Sequence, residues 1–153
     1  MQNFEDIQNL VQDDIAKTDQ VLIDHLSSDV ALINQMSVYI IGAGGKRLRP
    51  LLLLLCARAT NYQGDHHHLM AVVIELIHTA TLVHDDVVDE AAVRRGEPSL
   101  NSIWDNHISV LMGDFLLSKA LSLIVSMDVP DMMLKISKLT SNSVFRNFSK
   151  NPV

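Results

Sequence analysis

Between His67 and Asp89 the chain sets Val72, Val73, Leu76, Ile77, Ala80, Leu82 and Val83 at steps that spread apolar surface over most sides of one helix. Such a helix has to be enclosed by other elements, so the spacing predicts a central helix over this range. Its neighbours are also legible. Phe4, Ile7, Leu10, Val11, Ile15, Val21, Leu22 and Leu26 recur at three- and four-residue steps and predict a helix buried along one stripe, with Asn3 as its cap and Asp6 in its first turn. A second helix is expected from the Ser27-Ser28-Asp29 cap to Ile41, where Gly42, Gly44 and Gly45 end it. A third runs from Leu51 to about Thr60, with Pro50 in the first turn, where its missing N–H is not needed. After a loop marked by Gly96 and Pro98, a further helix is expected from about Asn106 to Ser126, ahead of Pro130. No sustained period-two alternation and no Asn-Gly or Asp-Gly turn supports strands. The predicted class is therefore an all-α helical bundle, and 153 residues make it one domain.

Charge narrows the partners. The net charge is −6, and seven acids against Lys17 alone fall in the first 29 residues. Without a basic excess, neither nonspecific nucleic-acid binding nor a polybasic membrane anchor is expected. Leu51 to Leu55 is apolar, but Arg58 follows too soon for the ~20 residues that cross a bilayer, and the acidic start lacks the pattern of a signal peptide. A cytoplasmic protein without stable membrane insertion is the expectation. The single cysteine, Cys56, sits in a leucine run and is read as a small buried apolar residue.

Two constellations carry chemistry. Asp85, Asp86, Asp89 and Glu90 put four carboxylates within six residues at the C-terminal end of the apolar helix, where the helix dipole already disfavours negative charge. Asp85 and Asp89 are one turn apart on the same face, with Asp86 about 100° round, so two or three carboxylates can converge on a hard divalent cation such as magnesium. A solvated acidic helix end has the same composition. His78, seven residues before Asp85, is only ~20° off the aspartate face, although a lone histidine in a core helix is commonly structural. The run His66-His67-His68 reads as a solvated helix start, since consecutive helix positions do not face one another.

The second constellation is Gly42-Ala43-Gly44-Gly45-Lys46-Arg47-Leu48-Arg49-Pro50. A flexible loop with three cations leading into a helix N-terminus is an anion site in waiting, or else a basic surface turn. A nucleotide-binding P-loop fails at both ends, because Ile40 stands where the first glycine belongs and Arg47 where a hydroxyl residue must meet the metal. Arg94 and Arg95 follow the acidic run. Acidic cluster, paired arginines and a distant basic loop together make the charge pattern that holds two phosphate-bearing ligands, one through a metal and one through cations alone.

Gly44-Gly45-Lys46-Arg47-Leu48-Arg49-Pro50, then His78, then Asp85-Asp86-Val87-Val88-Asp89 and Arg94-Arg95-Gly96 closely resemble the ordered motifs of the trans-polyprenyl diphosphate synthases. The stretch His78 to His84 is most similar to the octaprenyl diphosphate synthases of quinone biosynthesis. The resemblance covers roughly Ile7 to Ser143 and implies a helical bundle of the isoprenoid synthase type. It implies a prenyltransferase that adds isopentenyl diphosphate units to an allylic diphosphate, in a family whose full-length members are homodimers. By the same resemblance Asp85 and Asp89 bind Mg2+ that bridges the allylic diphosphate, Asp86 supports them, and Arg94 contacts that diphosphate. Lys46, Arg49, His78 and Arg95 would hold the diphosphate of isopentenyl diphosphate. Ala80 and Thr81, five and four residues before Asp85, are small, which together with the resemblance favours a medium or long product.

Family members run to about twice this length and carry a second aspartate-rich motif, which has no counterpart here, since Asp13-Asp14 is followed by Lys17 rather than aspartate. The expectation is the N-terminal half of such a synthase over 1–143, with a divergent, frayed tail over 144–153 and little turnover alone. Half a bundle would expose apolar faces and depend on a partner. Two other readings stand beside it. One is a non-catalytic partner subunit of a complete synthase; the other is a metal-dependent phosphohydrolase centred on His84-Asp85, with His25, His107 and Asp114 as further candidates, Asp114 being read as a buried polar contact.

Overall fold

The computed structural model describes residues 3–43, 45–138 and 141, so the predicted tail over 144–153 lies outside the described residues. Among these residues the chain is all-α apart from one two-residue ladder: α1 (Phe4–Asn9), α2 (Gln12–Leu26), α3 (Ala31–Gly42), α4 (Leu48–Ala59), α5 (His66–Val88), β1 (Val93–Arg94), β2 (Glu97–Pro98), α6 (Leu100–Trp104) and α7 (Asn106–Ser126). A further helical stretch covers 130–138.

The predicted central helix is α5. It buries Ala71, Val72, Val73, Leu76, Ala80 and Val83 and packs chiefly along α7, with α2, α4 and α6 around it. By length and composition alone α7 could cross a membrane. Here its Met112, Gly113, Leu116, Ala120, Leu123 and Ile124 recur at three- and four-residue steps and enter the main core with α5. At Gly113 a Cβ would run into the His84 ring, so glycine permits the close approach of α7 to α5. The opposite face of α7 leaves Leu111, Leu121 and Val125 exposed.

Three details depart from the expectations. The first helix is two helices. Asn3 and Asp6 do form a reciprocal capping box, at 3.0 and 2.8 Å. Val11 then leaves helical geometry (φ −130, ψ 27) and is wholly enclosed with Leu51, Leu54 and Ala71 in a second cluster, while the Arg58 guanidinium donates to the Leu10 carbonyl at the break. Cys56 is exposed rather than buried, because α4 turns only Pro50, Leu51 and Leu54 inward and position 56 lies about 200° from Leu54. Finally, β1 and β2 form a hairpin pairing Arg94 with Glu97. Its turn residues Arg95 and Gly96 both have positive φ (56 and 87), the geometry of the two-residue turn usually signalled by Asn-Gly.

That hairpin positions the acidic end of α5. After the helix closes, with the Asp89 amide donating to the Asp85 carbonyl at 2.8 Å, the chain doubles back. Tyr39 donates its hydroxyl to the Pro98 carbonyl at 2.7 Å and stacks edge-on with Trp104 at 5.5 Å, which pins the hairpin to α3 and α6. Arg94 is thereby brought onto Asp86: Nε lies 2.7 Å from both carboxylate oxygens and Nη2 lies 2.5 Å from Oδ1. The Asp86 side chain is only 6% exposed, so this ion pair is what allows a charge to sit there.

Two stability measurements check this account. Leu116→Ala empties a fully enclosed position and should cost about 2–5 kcal/mol in urea unfolding, against less than about 0.5 kcal/mol for the exposed Leu121→Ala. Arg94→Leu strands the Asp86 carboxylate and should cost about 2–4 kcal/mol by the same assay, with Arg94→Lys restoring only part because an ammonium cannot grip both oxygens.

Candidate active site

The residues singled out in the sequence come from three separate elements. Lys46 and Arg49 flank the start of α4, His78 stands midway along α5, and Arg95 is at the hairpin turn. The fold brings all four to one pocket of about 310 Å³, whose wall is completed by Gly45, Arg47, Leu48 and Glu75. At Gly45 (φ +154) a Cβ would meet the Arg95 guanidinium, so a side chain there would press on the group that closes the pocket from the hairpin side. Lys46 also lies with Nζ 6.0 Å from the Phe4 ring centroid.

Arg47 has a different task from its neighbours. It occupies left-handed backbone (φ 42, ψ 43) at the cap of α4, and its guanidinium pairs with Asp19 on α2. No acid near it in sequence announces this neutralisation, since the partner is 28 residues away. Glu75, one turn before His78 on α5, likewise carries a carboxylate into the basic pocket and was not signalled by the motifs.

The basic pocket adjoins an apolar cleft, and Arg47, Glu75, His78 and Arg95 belong to both. The cleft is walled by Tyr39, Ile40, Leu76, Leu82 and Leu116 and reaches Asp86 and Arg94 at the end of α5. Ala80 and Thr81 line neither: Ala80 is in the core, and the Thr81 hydroxyl donates to the His78 carbonyl at 2.7 Å.

Electrostatics separate the two ends. Burial lowers the His78 imidazole to about 4, and the cations Arg49, Arg95 and Arg94 push it the same way, so the ring is neutral at pH 7. Burial raises the Asp85 carboxyl, with Asp89 and Asp86 adding to the shift against the opposing pull of Arg94 and His84. The hydrogen bond that Arg94 donates to Asp86, with the surrounding carboxylates, holds Arg94 firmly charged. The three aspartates do not converge on one point. Asp86 is turned inward to Arg94, which leaves Asp85, half-buried, and Asp89, exposed, on the outer face of the last turn.

The phosphohydrolase constellation is not assembled among the described residues. His84 Nε2 lies 3.3 Å from Asp114 Oδ1 and 3.3 Å from the Val110 carbonyl, but no third ligand joins them. Asp114 is 62% exposed, not a buried contact, because the neighbouring Met112, Gly113 and Leu116 take the inward face of α7. The three-ligand cluster that does form among the described residues is Asp14, His67 and His68, so these two histidines are not the solvated helix start expected of them.

Comparison with known proteins bears on the family and the fold. The sequence model of the family described as polyprenyl synthetase matches residues 30–147. Octaprenyl diphosphate synthase of Escherichia coli (strain K12) is 44% identical over 142 residues, which is 93% of this chain and 43% of that protein. All-trans-nonaprenyl-diphosphate synthase (geranyl-diphosphate specific) of Rhodobacter capsulatus is 47% identical over 127 residues, 81% of this chain and 38% of that one. The crystal structure of a polyprenyl synthase from Caulobacter crescentus CB15, complexed with calcium and isoprenyl diphosphate, superposes with a TM-score of 0.84 at 38% identity, covering 88% of this chain and 41% of the other. The chain thus spans about two fifths of the length of the curated relatives it matches. A match across most of the sequence, together with the same helical architecture, shows that the chain belongs to the polyprenyl synthetase family.

Proposed function

We propose that this chain contributes the diphosphate-handling residues of a polyprenyl diphosphate synthase that joins isopentenyl diphosphate to an allylic diphosphate in the cytoplasm. The observation that carries this reading is the convergence of Lys46, Arg49, His78 and Arg95, from three elements, on one pocket that opens into an apolar cleft ending at Asp86 and Arg94. A prenyl diphosphate has matching parts: a compact polyanion and a hydrocarbon tail.

In the reaction, the allylic C–O bond breaks, diphosphate departs with the electron pair, the isopentenyl double bond attacks the allylic carbon, and a proton is then lost. Lys46, Arg49 and Arg95 hold the isopentenyl diphosphate by charge-assisted hydrogen bonds. Neutral His78 donates or accepts one hydrogen bond without adding charge to a pocket already rich in cations. Arg94 is fixed by Asp86 through Nε and Nη2, which leaves N–H groups of its fork for the allylic diphosphate. Asp86 is then a positioning residue. The apolar cleft keeps water from the electron-deficient allylic carbon.

Magnesium is the proposed cofactor, and Asp85 and Asp89 fit it. They are an all-oxygen pair one turn apart, and the Asp85 carboxyl, raised first by burial and then by the charge of Asp89, gains from a divalent cation beside it. When bound, magnesium stabilises the negative charge of the departing diphosphate. A medium or long product is proposed from the octaprenyl and nonaprenyl relatives rather than from Ala80 and Thr81, which line neither the pocket nor the cleft, and the exposed Leu111, Leu121 and Val125 stripe is the proposed homodimer contact.

Calorimetric titration with isopentenyl diphosphate tests the basic pocket: Lys46→Gln and Arg49→Gln should each weaken binding at least about tenfold, the equivalent of about 1.4 kcal/mol. Unchanged affinity in both would overturn the assignment. Incubation of the chain with isopentenyl and farnesyl diphosphates and magnesium, alone and with a full-length synthase added, separates transfer from silent partnership. Transfer requires a longer prenyl product, and a shift in the added enzyme's product length without new turnover would favour the partner subunit instead.

The His78 ring supplies a second check by NMR. In the free protein its resonances should titrate near pH 4, and added diphosphate, by cancelling the field of Arg49, Arg94 and Arg95, should move that midpoint upward toward the ordinary value near 6.5. The sign for stability follows from the same numbers. An unfolded chain binds the proton at about 6.5 and the folded one at about 4, so the contribution is complete above pH 6.5 and is lost as pH falls from 6.5 to 4; His78→Gln should flatten that part of the profile.

A further inference from the structure

At the opposite end of α5 from the aspartates, two adjacent histidines turn to the same carboxylate. His68 Nε2 lies 3.1 Å and His67 Nε2 lies 3.8 Å from Asp14 Oδ1, and the three ligand atoms all fall within 4.8 Å of one another. Consecutive helical side chains ordinarily diverge by about 100°. Here the pair is at the first turn of α5, the rings are tilted together with centroids 3.8 Å apart, and Tyr62 packs edge-on against His67 at 5.6 Å. Two imidazole edges and a carboxylate directed at one point make a metal donor set, and a metal ion takes imidazole in its neutral form. The side chains are 15–24% exposed, enclosed enough to be held and open enough for an ion to enter. The His67 Nδ1 atom is buried with no hydrogen-bond partner, which makes the Nε2 edge toward Asp14 the working polar edge of that ring.

We infer that Asp14, His67 and His68 form a binding site for one divalent transition-metal ion, with zinc the best match, clamping the start of α2 to the start of α5. The donor set decides the class. Imidazole with one carboxylate suits zinc, nickel or copper, whereas magnesium prefers oxygen alone. Zinc bonds of about 2.0–2.1 Å in a tetrahedron place ligand atoms about 3.3 Å apart, so closure asks His67 to come about half an ångström nearer Asp14 and the two imidazole nitrogens to draw together from within 4.8 Å. Water completes the fourth position. From His68 to Asp85 the helix rises by roughly 26 Å, which separates this site from the proposed magnesium carboxylates.

Calorimetry of the tag-free chain with zinc chloride, in excess magnesium and without phosphate, tests the site. The expected result is one zinc per chain at micromolar affinity or tighter, with a raised unfolding temperature. Asp14→Asn and His68→Gln should each weaken binding at least tenfold and remove the thermal shift, while His66→Gln and Asp89→Asn bind as the parent does. Should Asp14→Asn fail to give a native circular dichroism spectrum, His68→Gln, carrying a neutral replacement on a partly exposed side chain, decides the matter. Failure of the parent to bind one zinc, parental affinity in His68→Gln, or loss of binding in Asp89→Asn would each overturn the assignment.

Discussion

The body of α5 is enclosed by four other helices, yet its last turn carries three aspartates at the end of a helix whose own dipole is negative there. Everything about the candidate site follows from how the chain tolerates that. The buried Asp86 carboxylate is held by Nε and Nη2 of Arg94, and the tiny hairpin delivers that arginine. With Asp86 satisfied inward, Asp85 and Asp89 are left facing outward as a pair. The strong apolar packing of α5 against α7 supplies the stability that makes so costly a helix end tolerable.

The basic end obeys a complementary logic. Cations from the α4 cap and from the hairpin turn stand around His78, and the combination of burial and positive field keeps that imidazole uncharged. A pocket built this way is suited to an anion of high charge. Glu75 inside it and Asp19 beneath Arg47 keep the cations from repelling one another apart in the absence of such an anion.

Much of this was readable in the chain because the relevant rules are local. The ends of α7, the cap at Asn3 and the centrality of α5 follow from periodicity and caps, and they stand as expected. The break at Val11 was invisible because its apolar spacing continues straight through; only the second cluster around Leu51 and Leu54 explains why the backbone turns there. The hairpin escaped notice because Arg95 adopts a conformation that sequence rules assign to Asn or Asp. Cys56 was misplaced because a run of leucines hides which of them face inward. In the site, motif spacing indicated which residues matter but not that Asp86 would turn away from Asp85, nor that His67 and His68 would share Asp14, since both depend on contacts between distant segments.

Arg47 links these observations. A non-glycine residue in left-handed backbone costs about 1–2 kcal/mol, and here the conformation coincides with an ion pair to Asp19 on α2. The curvature of the cationic loop is therefore guyed to a helix that supplies no wall of the basic pocket, much as a tent seam is kept taut by a peg set some way off. Slackening of α2, by heat or by mutation at Asp19, would reach the loop as a change of shape before any of its own residues was touched.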